Sequence, residues 1–219
     1  MNTEVHSFTD LSRRPMPVVT PTVFVVDDDI SVRESLDGLI SDAGWRPALF
    51  ASAEEFLAHP APSVASCLVL DVSLPDLSGL ELQKRLLGRS ARIPIVFITG
   101  HGDIPMTVEA MKAGAVEFLT KPLRADVVLT AIEAALQVSR TFLEEEARLQ
   151  SLRERYGTLS RREREVMNLV VQGRLNKQVG GALGIAEITV KAHRSMMMRK
   201  MGAQSLPELV KMAARLGMS

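Results

Sequence analysis

Four apolar runs in this chain end in groups that can do chemistry. "TVFVVDDD" closes on Asp27, Asp28 and Asp29, and "CLVLDVSLPDLSG" carries Asp71. "IPIVFITG" ends on Thr99 and Gly100, and "VEFLTKP" leads to Lys121. Each has an ordinary explanation when taken alone. The acid run suits a solvated turn or a helix cap, Asp71 a strand stop, Thr99 a strand interior and Lys121 a surface cation. Together they would bring acids, a hydroxyl and an ammonium to one crevice. Clustered carboxylates repel one another unless a cation binds. Mg²⁺ is the natural candidate, because it takes a few carboxylates, carbonyls and retained waters. A carboxylate beside Mg²⁺ can accept a phosphoryl group as an acyl phosphate, whose oxygens need partners of the kind Lys and Thr supply.

Only a particular architecture gathers these residues. Runs 22–26, 46–50, 67–71, 93–99 and 116–120 read as strands. Each precedes a helical pattern, over 32–43, 52–58, 78–87, 103–114 and from 125 onward. Ser52 and Glu55 have the spacing of a capping box. Five strand–helix repeats predict an α/β fold, a five-stranded doubly wound parallel sheet with right-handed crossovers. Ligands of such sheets bind beyond the C-terminal strand ends, which is where these residues fall. Asp29, Asp76 and Asp103 read as loop or cap residues.

Here the motifs carry a resemblance. "VVDDD", "LVLDVSLPDLSG", "FITGHGD" and "EFLTKP" resemble, in order and spacing, the flavodoxin-like receiver domain of two-component response regulators over roughly residues 22–138. The resemblance implies that Asp71 is the phosphoacceptor. It implies Mg²⁺ held by Asp28 directly, Asp27 mainly through water, Asp71, and the backbone carbonyl of Ser73. Thr99 and Lys121 would hold the phosphoryl oxygens, Gly100 would leave them room, and the Lys121–Pro122 bond would be cis. Phe118 occupies the position of a switch aromatic that follows Thr99 inward and reshapes the surface around the fourth helix; a buried strand Phe is compatible with that. A histidine kinase is the implied partner, and the active state is a homodimer.

The charge distribution points to a second module. Positive and negative side chains balance at 26 each, yet residues 151–219 carry a net +8 and residues 1–150 a net −8. A basic module behind an acidic one suits a polyanionic partner. Residues 125–157 read as one long helical stretch with polar breaks at Ser139 and Glu146, either a signalling linker paired across a dimer or a solvated charged helix. Beyond it, four short helices are expected. The first is capped by Ser160 with Glu163 and ended by Gly173; the second runs 176–183, the third 187–201, and the fourth starts near 205. A Gly-containing turn between the second and third is a helix-turn-helix signature.

"LSRREREVMNLVVQGRLNKQV" and "ITVKAHRSMMMRKMG" resemble the LuxR/FixJ-type DNA-binding domain over roughly 155–217. That resemblance places Lys191, Ala192 and Ser195 toward bases, and Thr189, Arg194, Asn176 and Lys177 toward phosphates or adjoining backbone. Arg199 and Lys200 add charge to the third helix, which fits the B-DNA major groove. His193 is expected to be packed or backbone-bonded, and Val190 with the methionines 196–198 to serve core and interface packing. Two features depart from the pattern. Gly180 and Gly181 fall inside the second helix, each costing about 1 kcal/mol relative to Ala. Ala186 replaces a capping Ser, worth about 1 kcal/mol. Over both parts the chain resembles the FixJ/StyR branch, with a two-half-site operator and RNA polymerase as further implied partners.

The expected organisation is a polar tail over 1–20, a receiver over 21–138, a helical linker over 139–156 and a four-helix DNA-binding domain over 157–219. No signal peptide and no apolar run of about 18 residues is apparent, so no membrane partner is expected. The single cysteine, Cys67, lies inside an apolar run, which fits a cytoplasmic protein without a disulfide or zinc framework. Phosphatases of the dehalogenase class also use a strand-end Asp but need a second acid two residues on, where this chain has Ser73. An RNA-binding output lacks a stacking platform, since Tyr156 is the sole aromatic of the basic module. A regulator that works unphosphorylated is disfavoured by the complete acidic pocket. No enzyme activity is expected beyond self-phosphorylation from phosphodonors and autodephosphorylation.

Overall fold

Five apolar runs form a single parallel sheet in the computed structural model, which describes residues 19–75, 77–87, 92–100 and 104–218. The strands are β1 (Thr22–Val26), β2 (Arg46–Phe50), β3 (Ser66–Asp71), β4 (Ile95–Thr99) and β5 (Glu117–Thr120). Helices α1 (Ile30–Asp42), α2 (Ala53–Ala58), α3 (Gly79–Leu87), α4 (Ile104–Lys112) and α5 (Ala125–Gly157) follow them in turn. The strand order is β2-β1-β3-β4-β5. After β1 the chain moves to one side of the sheet, and after β2 it returns to the other side of β1. A crevice therefore opens between the C-terminal ends of β1 and β3.

Side chains alternate across each strand with period two, and both faces are covered. Val23, Val25, Val69, Val96 and Ile98 pack with Leu36 and Ile40 of α1 and Val128, Ile132 and Leu136 of α5. Phe24, Leu68, Leu70 and Phe97 pack with Phe56 of α2, Leu82 and Leu86 of α3 and Ala110 of α4. Burial on two faces is why every residue of β3 is buried. Cys67 belongs to this core, where burial pushes its thiol up to about 12, so it stays a protonated packing group.

Local chemistry adjusts several expected boundaries. Helix α1 starts two residues before the predicted stretch, because Asp29 caps it by accepting from the Ser31 N–H at 2.8 Å. Ser52 caps α2, but Glu55 reaches back to the Ala51 N–H at 2.8 Å, one residue earlier than in a reciprocal box. Ser139 is a buried tie, not merely a polar break. Its hydroxyl accepts from the Ser66 N–H at 3.0 Å, holding α5 to the start of β3. The polar tail through residue 18, Asp76 and Asp103 lie outside the described residues.

The chain divides into two compact units between Phe142 and Leu143, inside α5. In the second unit, α6 (Arg161–Val171), α7 (Asn176–Leu183), α8 (Glu187–Met201) and α9 (Leu206–Arg215) follow the last turns of α5. Leu152, Val166, Met167, Val170, Val179, Val190, Met197, Met201 and Leu209 form its core. Of the methionine run, Met197 is fully buried and Met196 is exposed, so the three do not share one role. The Ser160–Glu163 capping box is complete in both directions.

Candidate functional site

β1 and β3 end at the same level because they are paired in register, Val26 against Leu70. That register sets Asp27, Asp28 and Asp71 around one point, with a carboxylate oxygen from each within 4.8 Å of the others. Asp27 and Asp71 are buried and Asp28 is exposed. Across from them, β5 delivers Lys121, whose backbone N–H donates to the Thr99 carbonyl at 2.8 Å. Its ammonium donates to Asp71 Oδ2 at 2.6 Å and to Asp27 Oδ2 at 2.9 Å. Lys121–Pro122 is a cis peptide bond.

The electrostatics follow from this packing. Burial raises the Asp27 carboxyl above its ordinary value, against the pull of Lys121 and of the Asp29 N–H. Burial opposes the Lys121 charge, but its bonds to Asp71 and Asp27 outweigh that, and the ammonium lies above its ordinary value. One ammonium cannot neutralise three carboxylates. The set of hard oxygen donors fits a small divalent cation such as Mg²⁺. Asp71 Oδ1 accepts from the Ser73 N–H at 2.8 Å, which orients the carboxylate.

The remaining expected residues surround this point. Thr99 is fully buried at the end of β4, beside β3, whose Asp71 pairs with Ile98. Gly100 has open space where a side chain would stand. Phe118 is half-buried on β5, its ring 6.0 Å from that of Phe97.

In the second unit, α7 and α8 are joined by Gly184, Ile185 and Ala186, with Gly184 at φ 66° closing α7. Lys191, Ala192, Ser195 and Arg199 of α8 are exposed. Lys191 pairs with Glu187 at 3.2 Å, and Arg199 donates to the Met196 sulfur at 2.8 Å. Arg194 is half-buried and donates to Asn176 Oδ1 at 3.1 Å, bridging α8 to the first residue of α7. Lys177 is exposed on α7, and Thr189 and His193 are half-buried on α8. Lys200 is engaged within the unit: it donates to buried Glu163 at 2.7 Å and to the Thr158 carbonyl at 3.2 Å.

Comparison with known proteins joins the two sites. Residues 23–133 match the response regulator receiver domain family, and residues 157–213 match the luxR family of bacterial regulatory proteins. This chain belongs to the response regulators, with a LuxR-type output domain. It is similar to Nodulation protein W of Bradyrhizobium diazoefficiens, 52% identical over 197 residues, covering 90% of this chain and 87% of that one. It is 46% identical to the transcriptional regulatory protein FixJ of Rhizobium meliloti, covering 88% of this chain and 94% of the relative. Among solved structures, that of the response regulator StyR aligns with a TM-score of 0.77 at 48% identity, covering 90% of this chain and all of that one.

In this response regulator, several supporting residues escaped the sequence reading. Arg33 donates to the Asp27 carbonyl at 2.6 Å, from α1. Gly79 opens α3 where a Cβ would lie 2.5 Å from the Asp71 carbonyl, so only glycine lets α3 approach the end of β3 this closely. An arginine near an acid run and a glycine after a loop are too common in sequence to single these out. The Gly180–Gly181 pair separates in the structure. A Cβ on Gly180 would stand 2.8 Å from the Ile185 carbonyl, whereas one on Gly181 would meet nothing within 4 Å. Ala186 supplies no side-chain cap to α8, as its type implies.

Proposed function

We propose that this response regulator is a phosphorylation-controlled transcription factor whose Asp71 accepts a phosphoryl group from a partner histidine kinase. The observation that carries the reading is the buried Asp71 carboxylate at the β1/β3 crevice, facing Asp27, Asp28 and Lys121. An Asp71 carboxylate oxygen forms a bond to phosphorus while the phosphorus bond to the donor imidazole nitrogen breaks, and that nitrogen keeps the electron pair. Mg²⁺, held by Asp27, Asp28, Asp71 and the Ser73 carbonyl, would supply charge neutralisation at the phosphoryl oxygens. Lys121 leaves its ion pair with Asp71 to hold one phosphoryl oxygen. Thr99 holds another, and Gly100 leaves space for the group. Inward movement of Thr99 opens room that Phe118 fills, which changes the surface of α4 and β5. Self-phosphorylation from small phosphodonors and autodephosphorylation would use the same residues.

The active state is a homodimer in this reading. Ile104, Val108 and Met111 leave an apolar stripe exposed along α4, at helical spacing, which suits a self-complementary contact. The dimer presents two output domains to an operator of two half-sites. Lys191, Ala192 and Ser195 face bases, while Asn176, Lys177, Thr189, Arg194 and Arg199 serve the phosphate backbone. Lys200 is assigned to the fold instead, because its charge is committed to Glu163. RNA polymerase is the downstream partner. Among the described residues no helix is long and apolar enough to cross a membrane; a cytoplasmic location is part of the proposal.

Incubation with acetyl phosphate and Mg²⁺, followed by intact-protein mass spectrometry, tests the acceptor. The wild type should gain one phosphoryl group and Asp71→Asn none; equal labelling of the variant sinks the assignment. Equal operator affinity with and without the phosphoryl group would refute the switch.

A further inference from the structure

The recognition helix exposes a residue that the basic pattern does not explain. Ile188 is 74% exposed in the first turn of α8, although the helix has a core face available. Single exposed apolar residues are common and prove little by themselves. Its angular position is what matters. At 3.6 residues per turn, Lys191, Ala192, Ser195 and Arg199 all project within about 60° of the Ile188 direction. Val190, Met197 and Met201, all fully buried, project within about 40° of the opposite direction. Ile188 is therefore at the centre of the solvent face of α8, and it is the bulkiest apolar group there near the N-terminal end.

Given the DNA-binding reading above, on which this step rests, that face enters the major groove. The N-terminal residues of such a helix reach base edges. Ile188 has no donor or acceptor, so it cannot read a polar base edge. The one apolar feature of the major-groove floor is the thymine C5-methyl group. We propose that Ile188 is a specificity-determining residue that packs on a thymine methyl in each operator half-site, next to the bases faced by Lys191 and Ala192. It selects T where a polar residue at this position would select otherwise. Lys191 and Arg199 supply the attraction, and Ile188 supplies discrimination without charge.

The test uses full-length protein and a duplex selected from a random library by the wild type. Each thymine of the half-site is then replaced in turn by uracil, which removes only the methyl. At one position the wild type should lose about fourfold in affinity, the factor corresponding to about 0.8 kcal/mol for one buried methyl-sized group. Ile188→Ala should bind the thymine and uracil duplexes equally at that position and keep the wild-type response elsewhere. Ile188 is exposed, so this variant leaves the core untouched, and an unchanged circular dichroism melt confirms the fold. If Ile188→Ala shows the same thymine-to-uracil loss at every position, the inference is overturned. If no duplex is enriched, or Lys191→Ala binds the selected duplex as tightly as the wild type, the DNA-binding reading itself fails. The two failures are thus distinguishable.

Discussion

Adjacent glycines in α7 make opposite predictions. Replacing either with alanine inside a helix gains up to about 1 kcal/mol of intrinsic stability, since glycine carries the larger backbone entropy. At Gly181 nothing stands within 4 Å of the new Cβ, so the gain is realised in full. At Gly180 the Cβ would stand 2.8 Å from the Ile185 carbonyl, a backbone atom in the turn that aims α8. Relieving that overlap shifts the turn at a cost of about 1–3 kcal/mol. The propensity gain is common to both variants, so their difference isolates the steric cost. Gly181→Ala should be more stable than wild type by about 1 kcal/mol, and Gly180→Ala between neutral and about 2 kcal/mol less stable. Calorimetry of the full chain reads this difference. The only tryptophan, Trp45, packs in the first unit, so its fluorescence identifies that unit's transition and leaves the other for the second. For a unit of this size the two variants should differ by at least about 4 °C. If Gly180→Ala melts at or above Gly181→Ala, the claim that the helix-turn-helix crossing demands glycine is refuted.

Two further outcomes follow from buried polar groups. Ser139→Ala strips the Ser66 N–H of its acceptor and should cost about 1–3 kcal/mol, read as a lower urea midpoint by Trp45 fluorescence; an unchanged midpoint would contradict the tie. In the second unit, the hydrogen bond from Lys200 holds the Glu163 carboxyl below its ordinary 4.5, against the opposing effect of burial. A depressed folded value means that stabilisation is present above 4.5 and is lost as pH falls through the folded pKa. The second unit's melting temperature should therefore drop steeply on acidification below that value. Glu163→Gln should show a shallower acid limb, and identical limbs in the two proteins would dismiss the linkage.

Much of the first unit was legible because its signals are local. Apolar runs of strand length alternate with amphipathic helices, and each reactive residue directly follows its run. Right-handed crossovers then follow from general rules of parallel sheets, but the order β2-β1-β3-β4-β5, and with it the crevice between β1 and β3, came from the structure. The capping residue Ser160 was equally readable, because a cap is a bond between neighbours in sequence; Asp29, which reads as either loop or cap, was settled as the cap of α1 by the structure. What failed to appear in the sequence was whatever depended on distant partners.

Ser139, which reads in sequence as a polar break in a helix, becomes a buried acceptor only because β3 begins beside it. Lys200 reads as one more cation on a basic helix, yet α6 brings Glu163 within 2.7 Å and takes its charge into the fold. Composition cannot separate Gly180 from Gly181; the carbonyl of Ile185 does. The resemblance singled out Asp71 as the expected acceptor; residue type and spacing by themselves marked which groups could meet a cation and which helix could meet DNA. Tertiary structure alone decided which side chains remain free to do so, because a charge or a methyl is available only where no other element has covered it.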